Sequence, residues 1–330
     1  MMFRILSALA LACALAGAAA AQEKPKQDAP KVSGGERDAA QKIEKANGTE
    51  ARLQLAAAFV KKYPQSPLRA QIAEAIAREI AETADNQAKG ALAQTFLDIF
   101  NLPEEASLVT GTLLNSYINT GQTQDALKLG TDWLAKHPDD ISVMRNLTIL
   151  ASAEAIKGNN AFAAQGRDYG AKAIALLEAD KMPAGFDAAK WPEYKQESLA
   201  SLYRETGVIA FKTGDNAEAL RLLEKAVELG TADAAAYFIV GDLNNEVYEL
   251  RAKESIVAAP SDKPAATKRA EEALDKVIES YARAIAFTEG KPDYAQANAQ
   301  LRERIAPYYK YRHKNSTEGM QQLIDKYKKQ

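Results

Sequence analysis

Two histidines, His137 and His313, supply every imidazole in this chain, and they stand 176 residues apart. Zinc sites and acid–base sites usually draw on clustered His, Cys and carboxylate side chains, so two such isolated rings are poor material for either. The single cysteine, Cys13, lies near the N-terminus. No Gly-x-Ser-x-Gly elbow holds a serine nucleophile, and no Gly-x4-Gly-Lys-Ser/Thr or Gly-x-Gly-x2-Gly loop is present to cradle phosphate. The adjacent carboxylates Glu104-Glu105 and Asp139-Asp140 fall at expected helix starts, where the helix dipole favours negative charge. His137, followed by Pro138, is expected in a last helical turn facing free carbonyls, and His313 at the surface of another helix end. The expectation is no catalytic residue, no metal site, no cofactor and no enzyme activity.

The elements that must position any other kind of site are helices. Ala is abundant while Trp (2) and Phe (9) are few, which suits closely packed helices of high intrinsic propensity. No stretch alternates apolar and polar residues long enough for a sheet, so the expected fold is all-α. Helical periodicity predicts segments at 36–46, 49–62, 67–83, 87–101, 104–119, 123–136, 140–157, 160–178, 192–212, 216–229, 232–255, 265–287, 293–313 and 317–328. They would make about seven antiparallel pairs. At 330 residues the chain is long for one compact core, so two lobes or an array are expected. A Pro- and Gly-bearing stretch at 180–191 is the candidate lobe break.

Met1 to Arg4 is a short positive head, followed by the apolar run Ile5 to Ala16 and the small residues Gly17 to Ala21. That order predicts a signal peptide over 1–21, cleaved before Gln22, and therefore an exported, periplasmic protein. The apolar run is too short to span a bilayer. Leu9-Ala-Leu-Ala-Cys13 also resembles a lipoprotein cleavage site, the alternative being a lipid anchor at Cys13. Residues 22–35 are polar and rich in Pro and Gly, predicting a flexible linker before a repeat domain at 36–330. Formal net charge is −2, and −3 without Arg4 and the rest of the leader. Such a balance leaves no nucleic-acid footprint. The basic, tyrosine-rich stretch from Leu301 reads as a capping hairpin, tyrosines inward and lysines outward, or as a patch for an acidic partner or anionic lipid.

Tyr203 and Gly207 recur as Tyr237 and Gly241, each 34 positions on. With Ala219, Leu223, Ala226 and the Gly214-Asp215 turn, they resemble the tetratricopeptide repeat. Thr206, Ala210 and Thr231 depart from its pattern. A further unit offers Leu113, Tyr117, Gly121, Ala126 and Pro138, and Tyr63-Pro64-Gln-Ser66-Pro67 resembles repeat ends of exported bacterial proteins. The resemblance implies an α-solenoid, a right-handed superhelix whose first helices line a concave groove. It gives Tyr203, Gly207, Ala219, Leu223, Ala226, Tyr237 and Gly241 the packing role. It points Asn115, Asn119, Arg145, Arg204, Phe211, Lys212, Phe238, Asp242 and Asn245 into the groove. The implied function is a scaffold for other envelope proteins or peptides, in cell-envelope assembly. The alternatives are a ligand-binding accessory of a transport system and a glycan-active helical enzyme.

Overall fold

A computed structural model describes residues 32–183 and 186–328, so the expected leader, Cys13 and linker residues 22–31 lie outside the described residues. Among the described residues fourteen α-helices follow one another: α1 Gly34–Lys45, α2 Thr49–Lys62, α3 Arg69–Glu82, α4 Asn86–Ile99, α5 Pro103–Asn119, α6 Thr123–Leu134 and α7 Ile141–Ile156. The second half holds α8 Ala163–Glu178, α9 Trp191–Lys212, α10 Asn216–Glu228, α11 Ala234–Val257, α12 Lys263–Thr288, α13 Ala295–Arg312 and α14 Met320–Tyr327. No strand occurs among these residues. Every helix end falls within three residues of its sequence expectation. The helices pack pairwise through short turns, an arrangement of the α-solenoid class.

One expected boundary is corrected at the start. Ser33 accepts the Glu36 backbone N–H (3.3 Å) while its own N–H donates to Glu36 Oε2 (2.7 Å). This reciprocal cap starts α1 at Gly34, so Gly34 and Gly35, expected in the linker, belong to the helix that Ser33 caps. A second correction concerns the lobes. The chain divides at Trp133/Leu134, not at 180–191. The 180–191 segment is held inside the second unit, because Asp180 accepts from Trp191 Nε1 (2.9 Å) and Lys195 Nζ (2.8 Å), and Phe186 packs on Trp191 and Tyr194.

In the first unit, Phe59, Ile72, Ile76, Ile80, Phe96, Phe100 and Leu113 form one buried core across α2 to α5. One ion pair lies inside it. Arg69 donates from Nε to Glu105 Oε1 (2.6 Å) and from Nη2 to Oε2 (2.8 Å), and both side chains are buried. Glu105 Oε2 also accepts the Leu102 N–H, so the pair ties α3 to the start of α5.

In the second unit α9 packs on α7, α8 and α10, and α11 packs on α10 and α12. The turn between α9 and α10 needs Gly214, whose φ of 81° is a left-handed value that a side chain disfavours. Asp215 then caps α10 by accepting the Glu218 N–H. The expected packing residues take their places: Tyr203, Gly207, Ala219, Leu223, Ala226 and Gly241 are buried, and Tyr237 is half-buried and stacked on Phe287. Gly207 touches Leu223: a Cβ there would stand 2.8 Å from Leu223 Cγ. Gly241 touches Tyr281 in the same way, at 2.6 Å.

Substituting Gly207 by Ala should therefore cost about 1–3 kcal/mol through overpacking. Gly111→Ala, in α5 with no atom within 4 Å of the added carbon, should instead stabilise by up to about 1 kcal/mol. Urea unfolding of the two variants checks the opposite signs. Arg69→Met alone should cost about 3–5 kcal/mol by stranding a buried carboxylate, and the Arg69→Met/Glu105→Leu double variant should recover most of it in the same assay.

Candidate partner-binding site

Nine side chains are expected in a groove, and two of them, Asp242 and Asn245, line one cleft, with Phe238 on the same stripe of α11 outside its lining. Phe238, Asp242 and Asn245 recur at helical spacing along one stripe of α11 and meet groups from α12 and α13. Asp242 Oδ1 accepts from Arg304 Nη1 (2.9 Å) and from the Tyr281 hydroxyl (3.2 Å). Asn245 Oδ1 accepts from the Tyr308 hydroxyl (2.9 Å), and its amide donates to Glu249 (2.9 Å). Tyr308 meets Tyr248 edge-on at 5.6 Å, and Phe238 meets Tyr294 likewise at 6.2 Å. Between them lies an open cleft of about 550 Å³, lined by Asp242, Asn245, Glu246, Tyr281, Arg304 and Tyr308, with Pro307. That volume lies within the range of ligand and peptide pockets.

The other expected groove residues are placed differently. Asn115 and Asn119 are exposed on α5 of the first unit, where Asn115 already has a partner. Arg145 is half-buried on α7, and its Nε has no hydrogen-bond partner among the described residues. Phe211 packs onto Ala210, Ala219 and Leu243, with exposed Lys212 above its ring at 6.0 Å. Arg204 is already engaged, bound to Glu205 and Asp233. Only 5% of the Glu205 side chain is exposed, so releasing Arg204 would strand a buried carboxylate. Arg304 and Asp242 are each 59% exposed, and such a pair is worth at most about 1 kcal/mol. Arg304 can change partners cheaply and Arg204 cannot.

Sequence reasoning missed Arg304, Tyr281 and Tyr308 as groove residues. The available signal was the tyrosine-rich C-terminal stretch, read as a cap. Tyr309 is indeed buried, stacked on His313 at 3.8 Å, and Tyr327 is half-buried, but Tyr311 is exposed. The arginines of the basic patch expected there are neutralised, while Lys310, Lys314 and Lys326 form no ion pair among the described residues. Arg302 pairs with Glu289, Arg304 with Asp242, Arg312 with Glu271 and Asp275, and Lys328 with Glu289 and Asp325.

Burial of the Tyr281 phenol, reinforced by the Asp242 charge, pushes its pKa up to about 12. Burial and the hydrogen bond to Glu178 push Tyr203 up to about 12 as well. Among the described residues no His, Cys, Asp and Glu cluster could hold a metal ion, and no helix is long and apolar enough to cross a membrane. The cleft thus offers hydrogen-bond donors and acceptors, aromatic edges and an exchangeable ion pair. Those are the groups that capture a polypeptide segment.

No protein-family model matches the chain, and no curated protein matches its sequence. Among solved structures it is similar to a thermophilic tetratricopeptide-repeat protein of Thermus thermophilus. That match has 17% identity and a TM-score of 0.32, covering 72% of this chain and 97% of the other. The helix hairpins described above, with glycine facing Leu223 and Tyr281 at a 34-residue interval, are themselves tetratricopeptide-like.

The two raised phenols give a pH dependence with a definite sign. Each holds its proton more tightly folded than unfolded, so its contribution is complete below the ordinary tyrosine value of about 10. It is lost as pH rises through about 12. Phenolate absorbance should show Tyr203 and Tyr281 ionising last, and Tyr281→Phe should reduce the fall of the urea midpoint over that interval while keeping the ring against Gly241.

Proposed function

We propose that this protein is a non-enzymatic scaffold that captures a segment of another protein in the cleft between α11 and α13. The supporting observation is the exposed, exchangeable Asp242–Arg304 pair flanked by Asn245 and Tyr308. An incoming carboxylate can take Arg304, an incoming backbone amide can take Asp242 or Asn245, and Tyr308 and Pro307 offer apolar faces beside them. Exchange of this kind needs only a weak surface pair to open. The hydroxyls in the cleft bond to Asp242 and Asn245, and neither histidine lines it, which favours binding over acid–base chemistry. The leader-like residues 1–21 support an exported protein, and we place its work in the periplasm, holding envelope proteins together during assembly.

A photo-crosslinking residue at position 245 tests this in cells. It should trap a defined envelope protein, identified by mass spectrometry, while the same residue at exposed Lys172 on α8 should not. Arg304→Ala/Tyr308→Ala should lower the yield by roughly 30-fold, the loss expected on removing hot-spot contacts. Equal trapping from both positions, or a yield unaffected by the double variant, would remove the cleft assignment.

A further inference from the structure

The two hairpins that share the 34-residue interval differ in one dimension. Leu223 follows its partner Gly207 by 16 positions, whereas Tyr281 follows its partner Gly241 by 40. The extra positions lengthen the hairpin beyond each glycine contact by about 11 residues per helix, roughly 16 Å, with a slightly longer turn. Part of that length packs against α13, through Tyr248–Tyr308 and Arg312 with Glu271 and Asp275, whereas α10 has only 13 residues. The extension is joined through buried alanines, Ala266, Ala270 and Ala273 on α12. It ends in side chains that a water-facing tip would not keep. Leu250 is 62% exposed, Ile256 71% and Val257 82%, and Ala259 and Pro260 follow them, exposed, in the connecting turn.

Charge distinguishes the kind of surface this tip fits. Glu254 is taken by Arg251 and Glu272 by Lys268. Lys253 and Arg269 are exposed and form no ion pair among the described residues, and Lys263 bonds only the Ile256 carbonyl, at 3.0 Å. Asp262 in the turn is also exposed and without an ion pair among the described residues, so three such cations stand against one such acid. An apolar point with an excess of cations around it matches a bilayer interface whose acyl boundary lies beneath a layer of phosphates. We propose that the α11–α12 hairpin tip docks this protein onto anionic phospholipid. Ile256 and Val257 enter the acyl boundary, Leu250 follows at the headgroup level, and Lys253, Lys263 and Arg269 meet phosphate oxygens. This surface is distinct from the Asp242–Tyr308 cleft and from the paired arginines of α13.

Co-sedimentation of residues 22–330 with vesicles of equal parts phosphatidylglycerol and phosphatidylcholine tests the proposal. The protein should pellet with these vesicles and stay in solution with phosphatidylcholine alone. Ile256→Ser/Val257→Ser should weaken partitioning at least ~10-fold by removing the two most exposed apolar side chains. Lys253→Glu/Arg269→Glu should weaken it comparably, and raised salt should mimic that loss. Circular dichroism should show the same helix content in all three proteins, since none of these residues is buried. Three outcomes overturn the proposal: no pelleting of the unsubstituted protein, equal pelleting of the Ser/Ser variant, or an apolar tip that instead forms dimers lost in that variant.

Discussion

Helices can approach closely only where one of them presents little or nothing at the crossing point, and every other feature of the second unit depends on that constraint. Gly207 admits Leu223, Gly241 admits Tyr281, and Gly170 lies against Thr206 and Thr148. In the first unit Gly90 lies against Ser116 in the same manner. Each contact sets the depth at which one helix sits in its neighbour. For Gly241 that depth has a functional consequence. Seating the Tyr281 ring there brings its hydroxyl to Asp242, one position further along α11, and so forms one wall of the candidate cleft.

Ion pairs divide into two kinds, and burial decides which can serve recognition. Arg69–Glu105 is closed off from water, and Glu205 is buried beside a part-exposed Arg204, so opening either pair strands a carboxylate with little solvent and no partner. Arg69–Glu105 ties α3 to α5, and Arg204 ties α9 to Asp233 at the start of α11. Arg304–Asp242 is open to solvent, and water can replace either member at little cost. A scaffold needs both kinds: fixed pairs to keep the surface in shape, and loose pairs that a partner can take over. The same reasoning explains the C-terminal stretch, whose arginines bond mostly to acids on earlier helices and are therefore parts of the array's end.

Much of the framework was readable without coordinates. Periodicity, Pro and Gly punctuation and the recurrence of Tyr203 and Gly207 at Tyr237 and Gly241 locate the helices closely, because helix boundaries answer to local chemistry. The candidate site was readable in part. Phe238, Asp242 and Asn245 share a stripe of α11, and helical spacing alone can place them on one face. Arg304 and Tyr308 lie more than 60 positions further on, and no local pattern connects them to Asp242 and Asn245. The engagement of Arg204 was unreadable for a related reason: its position points outward, yet Asp233 from the start of α11 reaches back to it.

What the residues alone determined, then, is the helical content, the turns and the small-residue contacts. Each depends on interactions within a few turns or on an interval repeated in the chain. What only the tertiary arrangement decided is which charges are spent and which are available, where the chain divides, and how far the α11–α12 hairpin extends past its neighbours. Those outcomes depend on the water left around each group once distant helices have packed, and solvent exposure is a property of the assembled surface that no local stretch of sequence carries.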